Sequence, residues 1–174
     1  DRAGANATFA LVGERALQYP DLVARIVERG HLVASHGFAH EWNWWRAPRT
    51  LRHDLLEAER VLGGVLPPPK LFRPPHGIPS PNWLMAGSDL GYMCVLWSIS
   101  SNDWRDSSPE GIVRRVRRRL RAGSILLFHE CRAQTGEGYG HTVEAVEQLL
   151  SATNGLQSVT VHELFRSARK TNSD

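Results

Sequence analysis

Apolar residues follow two rhythms along the chain: short unbroken runs, and stretches where they return every three or four positions. Ala7 to Val12 (Ala-Thr-Phe-Ala-Leu-Val) is an apolar run ended by Gly13, which predicts a buried strand. Leu22, Val23, Ile26 and Val27 then share one helical face, with Asp21 near the start and Gly30 as the stop. His31 to Ser35 predicts a second strand. Thr50 can cap a helix that turns Leu51, Leu55, Ala58 and Leu62 towards a core and closes at Gly63-Gly64. Pro67-Pro68-Pro69 leads stiffly into a short strand at Leu71-Phe72.

Pro81 opens another helix, and Tyr92 to Ile99 reads as one strong strand. Ser108-Pro109 is a cap followed by proline in the first turn, so a helix should run on to about Arg121. Ser124 to Phe128 reads as a strand, His141 to Leu150 as a helix and Ser158 to Val161 as a last strand. Six strands separated by helices predict an α/β chain with a parallel sheet or a β/α barrel. No repeat, linker or low-complexity segment interrupts the pattern, so residues 1–174 read as a single domain.

Composition changes this picture little. With 174 residues and 41% hydrophobic content the chain can bury one sizeable core. A net charge of +3 and a pI of about 9.2 point to no particular partner. No apolar run approaches the roughly 20 residues needed to span a bilayer. The chain starts at Asp1, and Asp1 to Ala5 reads as the end of a helix entering a strand, so an upstream segment with any targeting signal is expected to be missing. Cys94 and Cys131 are too few for a disulfide framework and lack zinc-site spacing to any other Cys or His. A pair and two small buried hydrophobes are both open.

Chemistry enters at the strand ends, where active sites of parallel α/β folds lie. The strand His31 to Ser35 runs out at His36 and His40. The Leu71-Phe72 strand runs into Arg73-Pro74-Pro75-His76-Gly77, the strand through Trp97 into Asp103-Trp104, and the Ile125–Phe128 strand into His129-Glu130. His36 and His40 are spaced i, i+4, so on a helical turn both imidazoles could share a cation. Imidazole suits zinc and similar divalent metals, although a catalytic site needs a third ligand and an open position. Gly37 after the first histidine excludes the His-Glu-x-x-His helix of zincins. Arg73 could orient a carboxylate through its planar fork, or serve as a salt bridge at the rim. His129, partly desolvated and beside a carboxylate, could act as a general acid, with Asp103 either its partner or an ordinary turn aspartate.

Two further features stand out. Ile112, Val113, Val116 and Leu120 form an apolar stripe that leaves the arginines between Arg114 and Arg121 outside, a solvated face in preference to a nucleic-acid site. Trp42, Trp44 and Trp45 follow the histidine pair directly. Their aromatic faces could extend a ring-stacking subsite, cover the barrel edge or pack against an absent N-terminal segment.

Ser35-His36-Gly37-Phe38-Ala39-His40, Phe72-Arg73-Pro74-Pro75-His76-Gly77, Leu96-Trp97-Ser98 leading to Asp103-Trp104, and Gly123-Ser124-Ile125-Leu126-Leu127-Phe128-His129 occur in the order and spacing of polysaccharide deacetylases, carbohydrate esterase family 4. Ala7-Thr8-Phe9 through Gly13 also resembles that family's second strand. The resemblance implies a distorted, incomplete (β/α) barrel, its N-terminal strand and helix absent here, that removes acetyl groups from N-acetylated or O-acetylated sugars.

By position it implies a divalent cation, zinc first and cobalt or manganese as alternatives, bound by His36 and His40. It further implies that Arg73 orients the catalytic base, the backbone N–H of His76 helps hold the oxyanion and Trp104 lines the groove. Leu127 would border the acetyl pocket, and His129, tuned by Asp103, would be the general acid. The implied partner is an acetylated glycan (chitin-like, peptidoglycan or xylan), with no nucleic acid and no membrane span, at an extracellular or cell-envelope location.

The sequence departs from the family in three places. The Asp-Asp pair of the family's first motif, source of the base and the third metal ligand, is expected upstream of Ala7 and occurs nowhere in the chain. Ser100 replaces a frequent Asp, and His76 a common aromatic. A catalytically inactive carbohydrate-binding domain on the same fold is therefore the alternative reading.

Overall fold

The computed structural model describes residues 4–105, 108–131, 137–152 and 155–171. They fall into two compact units, one spanning Asn6–Leu96 and the other built mainly from Trp97 onward.

The first unit is a four-stranded parallel sheet in the order β1 (Thr8–Leu11), β2 (Leu32–Ser35), β3 (Lys70–Phe72), β4 (Tyr92–Cys94). Its register pairs Thr8 with Leu32 and Leu11 with Ser35, then Ser35 with Phe72, and Phe72 with Cys94. The strands alternate with helices α1 (Gly13–Gln18), α2 (Pro20–Glu28), α3 (Pro48–Leu62) and α4 (Pro81–Asp89). All four residues of β2 are buried, as expected of a strand covered on both faces. Leu51, Leu55, Ala58 and Leu62 of α3 are fully excluded from solvent, as their 3.6-residue period predicts. Gly87 lets α4 lie against β3, because a Cβ there would stand 2.5 Å from the Phe72 ring.

The second unit pairs β5 (Ile99–Ser100) in parallel with β6 (Leu126–Leu127). Helices α5 (Pro109–Arg117) and α6 (Gly140–Ser151) pack together, and α7 (Val161–Thr171) follows. Ile99, Val116 and Leu149 form its core, with Val113, Leu126 and Phe128 packed around them. Ser108 caps α5 as expected, its hydroxyl accepting the Gly111 N–H at 3.1 Å.

Several expectations need correction. The Tyr92–Ile99 run is two strands, because the chain changes partner within it. The Val95 N–H still bonds the Phe72 carbonyl, whereas the N–H groups of Ser98 and Ile99 both bond the Ile125 carbonyl. Ser158–Val161 is no strand. The Thr160 N–H and hydroxyl both bond the Glu163 carboxylate, at 2.7 and 2.8 Å, and the Thr160 hydroxyl accepts the Glu163 N–H. This capping box starts α7, and local satisfaction wins over β-branched composition.

Thr50 is not a cap either. Helix α3 begins at Pro48, whose missing N–H costs nothing in a first turn. Helix α5 stops at Arg117, short of Arg121. Helix α1 was not foreseen, and of the α2 face only Ile26 is buried, with Leu22 and Val27 exposed.

Candidate active site

Each unit holds one polar cluster at its strand ends. In the first unit, β2 delivers His36, which is 6% exposed, directly after Ser35. The segment to His40 is not helical, so the i, i+4 argument for a shared face does not apply. A turn brings the rings together instead. Gly37 sits at φ +77°, and the His36 and His40 ring centroids lie 4.9 Å apart.

The turn is braced on two sides. Asp54 of α3 accepts the N–H groups of Phe38 at 2.9 Å and Ala39 at 3.5 Å. The first N–H groups of α1, from Gly13 and Glu14, donate to the carbonyls of Gly37 and Phe38, both at 3.0 Å. A Cβ at Gly37 would stand 2.6 Å from Asp54 Oδ2, so glycine is required both for backbone angle and for space. Burial raises the Asp54 pKa, against the opposing pull of the two backbone donors.

The tautomer of His36 follows from its neighbours. A carbonyl can only accept, so His36 Nδ1–H donates to the Arg73 carbonyl at 2.6 Å. Its Nε2 therefore carries a lone pair, which here accepts from the Arg73 guanidinium at 3.2 Å. An imidazole whose Nδ1–H is held by a backbone carbonyl is oriented and charged as a metal ligand needs to be. His76 stands after β3 in the short turn Pro75–Gly77, at φ +57°. Its ring is 4.4 Å from that of His40, and Trp42 stacks on it at 3.7 Å and 8°. Among the described residues His76 Nε2 is buried without a hydrogen-bond partner, and burial holds the His76 pKa below its usual value against the opposing pull of a hydrogen bond to the Glu41 backbone.

Among the described residues no three His, Cys, Asp or Glu side chains are grouped as a cation site. His36 and His40 fit the chemistry of a divalent cation as two imidazoles of a larger ligand set.

In the second unit the centre is Asp103, 1% exposed after β5. Its Oδ1 accepts His129 Nδ1–H at 2.9 Å and the Trp104 N–H at 3.1 Å. Its Oδ2 accepts the His129 N–H at 2.6 Å and the Thr142 hydroxyl at 3.1 Å. Burial alone would push this carboxyl up, but the bonds from the His129 ring and backbone, its positive charge, and Ser101 together hold it below the ordinary carboxylate range. His129 is thereby fixed with Nε2 as the nitrogen left for proton transfer.

The expected residues thus assemble as two groups, His36, His40, Arg73 and His76 in the first unit and Asp103 and His129 in the second. Trp104 contributes its N–H to Asp103 and leaves its indole half exposed, while Leu127 is 7% exposed within β6. Sequence reasoning missed Asp54, which no spacing links to the histidines. It also missed Thr142 and His141 of α6, the latter donating from Nε2 to the Asp103 carbonyl at 2.9 Å. Arg115, taken only as part of a solvated face, donates to the Ser101 carbonyl at 2.6 Å.

Comparison with known proteins adds an independent line. The sequence profile described as polysaccharide deacetylase matches residues 1–95. A peptidoglycan-N-acetylglucosamine deacetylase of Bacillus cereus is 31% identical over 166 residues, which is 93% of this chain and 76% of that protein. A chitooligosaccharide deacetylase of Sinorhizobium fredii is 33% identical over 126 residues, 71% of this chain and 59% of that one. Among solved structures, a family 4 carbohydrate esterase from Streptomyces lividans in complex with acetate superposes with a TM-score of 0.79 at 28% identity, covering 90% of this chain and 79% of its own.

Proposed function

Because the chain belongs to the polysaccharide deacetylase family, we propose that it hydrolyses the acetyl groups of N-acetylated sugars in a polysaccharide or oligosaccharide, with a divalent cation as cofactor. The observation that carries this reading is the Asp103–His129 pair, in which a buried carboxylate fixes the imidazole through both its ring and its backbone N–H. A histidine so oriented can present a proton from Nε2 to a departing amine and recover it in the next turnover.

His36 and His40 would hold the cation, zinc by preference and cobalt or manganese as alternatives. When bound, it supplies positive charge for the developing oxyanion and lowers the pKa of water. The His36 Nδ1–H bond to the Arg73 carbonyl keeps that ring from turning away, and the Arg73 guanidinium beside it would orient the catalytic base. The backbone N–H of His76, in its left-handed turn, is assigned to the oxyanion. Trp104 supplies an exposed indole face for a sugar ring, and Leu127 an apolar wall for the acetyl methyl. The relatives whose names specify peptidoglycan N-acetylglucosamine and chitooligosaccharides support an acetylated glucosamine polymer as the substrate class.

The base that takes the proton of the attacking water, and the third ligand, would come from the family's Asp-Asp motif, which these 174 residues do not contain. Acetate release from N-acetylglucosamine oligomers by the metal-loaded protein carrying that motif tests the reading. Chelation should abolish it, and His129→Ala should lower the rate by about 10²- to 10⁴-fold without unfolding the protein. Full activity in His129→Ala, or no acetate from any acetylated glycan, would overturn the assignment.

A further inference from the structure

Trp42, Trp44 and Trp45 are 60%, 40% and 58% exposed. Three indoles left open to water within four positions form a patch of the kind that marks binding surfaces. The segment is fixed rather than loose. Ser80 donates its hydroxyl to the Trp44 carbonyl at 2.8 Å, and Asn82 donates to the Arg46 carbonyl at 3.0 Å, so the start of α4 anchors both. The Arg46 N–H also bonds the Asn43 carbonyl at 2.9 Å. Aromatic faces held in advance lose little freedom when they bind.

The patch runs into the histidine cluster. Trp42 stacks on His76, whose ring also meets that of His40. Trp44 and Trp45 meet at 90° with centroids 5.6 Å apart, which makes a corner rather than a flat face. A corner suits a small rigid ring better than the broad surface of a protein. Its border is polar, with Glu41, Arg46 and Asn82 able to meet hydroxyl groups. Two of the three buried side-chain polar atoms without partners among the described residues, Asn43 Oδ1 and His76 Nε2, belong to this segment and the ring stacked on it. Unsatisfied buried groups are rare, and a ligand that completes them is one of their explanations.

We propose that Trp42, Trp44 and Trp45 form a stacking subsite for pyranose rings of the glycan, so that the protein favours oligosaccharides over single sugars. The proposal rests on the deacetylase reading for the identity of the ligand. The apolar C–H faces of a pyranose lie against indole faces while its hydroxyls reach the polar border.

The test is a comparison of affinities for chitotetraose and for N-acetylglucosamine, by calorimetry and by tryptophan fluorescence. The unaltered protein should bind the tetramer about tenfold or more tighter than the monomer, the worth of one or two stacked rings. Trp44→Ala/Trp45→Ala should narrow that ratio to within about twofold, with Trp44→Phe/Trp45→Phe restoring most of it. A ratio unchanged in the alanine variant, at a native circular dichroism spectrum, overturns the subsite. So does a dimer in sedimentation that the alanine variant dissociates while chitotetraose affinity stays the same. Chain-length-dependent binding by a protein that releases no acetate would leave the subsite standing and defeat the catalytic reading instead.

Discussion

The two polar clusters are built to opposite rules. Around Asp103 both carboxylate oxygens hold two donors each, and the carboxyl is buried. Around His36 and His40 the bracing falls on the backbone of the turn, through Asp54 and α1, while His76 Nε2 nearby has no partner among the described residues. The difference is between a carboxylate whose two oxygens are the hub of every bond and a turn that is braced through its backbone, with the His36 ring held by Arg73 alone among the bonds described. A proton-transfer histidine needs the first arrangement, since a loose ring would transfer poorly.

The sharpest way to break this comparison is to truncate each brace. Asp103→Ala removes a buried carboxylate paired with His129 and should cost about 3–5 kcal/mol, read as a large fall in melting temperature. A loss below about 1 kcal/mol would show that the Asp103 carboxylate is not the hub of its cluster. The same carboxyl gives a pH signature. Its folded pKa lies below that of an unfolded aspartate, so its contribution is present above about pH 4 and drains away as the pH falls through the lowered value. Asp103→Asn should flatten the stability profile in that acid window, as measured by denaturant melts at stepped pH.

Asp54→Ala should do less to stability, about 1–2 kcal/mol for two N–H groups left without an acceptor. Its larger effect should fall on function, with zinc or cobalt affinity down about tenfold or more because the turn that sets the imidazoles is loosened. Equal metal affinity in calorimetry would mean that the frame around His36 and His40 does not matter. At the small end, Glu163→Ala removes the capping box of α7, remote from both clusters in sequence. It should cost about 1 kcal/mol and leave metal affinity untouched.

What could be read from the sequence depended on the range of the interaction. Strand ends carry their polar residues immediately after an apolar run, so the placement of His36, Arg73, Asp103 and His129 at or just beyond strand ends was legible without any knowledge of packing. The core face of α3 was visible for the same reason, because its period is local. Choices of partner were not. Nothing within Tyr92–Ile99 signals that Val95 bonds Phe72 while Ser98 bonds Ile125. The turn from His36 to His40 imitates a helical spacing, and only Gly37 at positive φ separates the two. Asp54 sits 14 positions from His40 in an amphipathic helix, where one more carboxylate looks like solvated surface. Thr160 and Glu163 did carry a local signal, the capping box, but it was outweighed by the β-branched residues before it.

The tight fit at Gly37 has a meaning for descent as well as for packing. Every codon change away from glycine adds a Cβ, and at this position that atom meets the Asp54 carboxylate at 2.6 Å on a left-handed backbone. Relief would first require a smaller residue at 54, and that change alone removes the acceptor of the Phe38 and Ala39 N–H groups. Residues 37 and 54 therefore constrain one another through time: neither can drift first without passing through a variant whose histidine turn is strained or has lost one of its two braces. A lineage that kept the two imidazoles in use would be expected to keep this glycine and this aspartate as a pair, and one that abandoned them would be free to lose both.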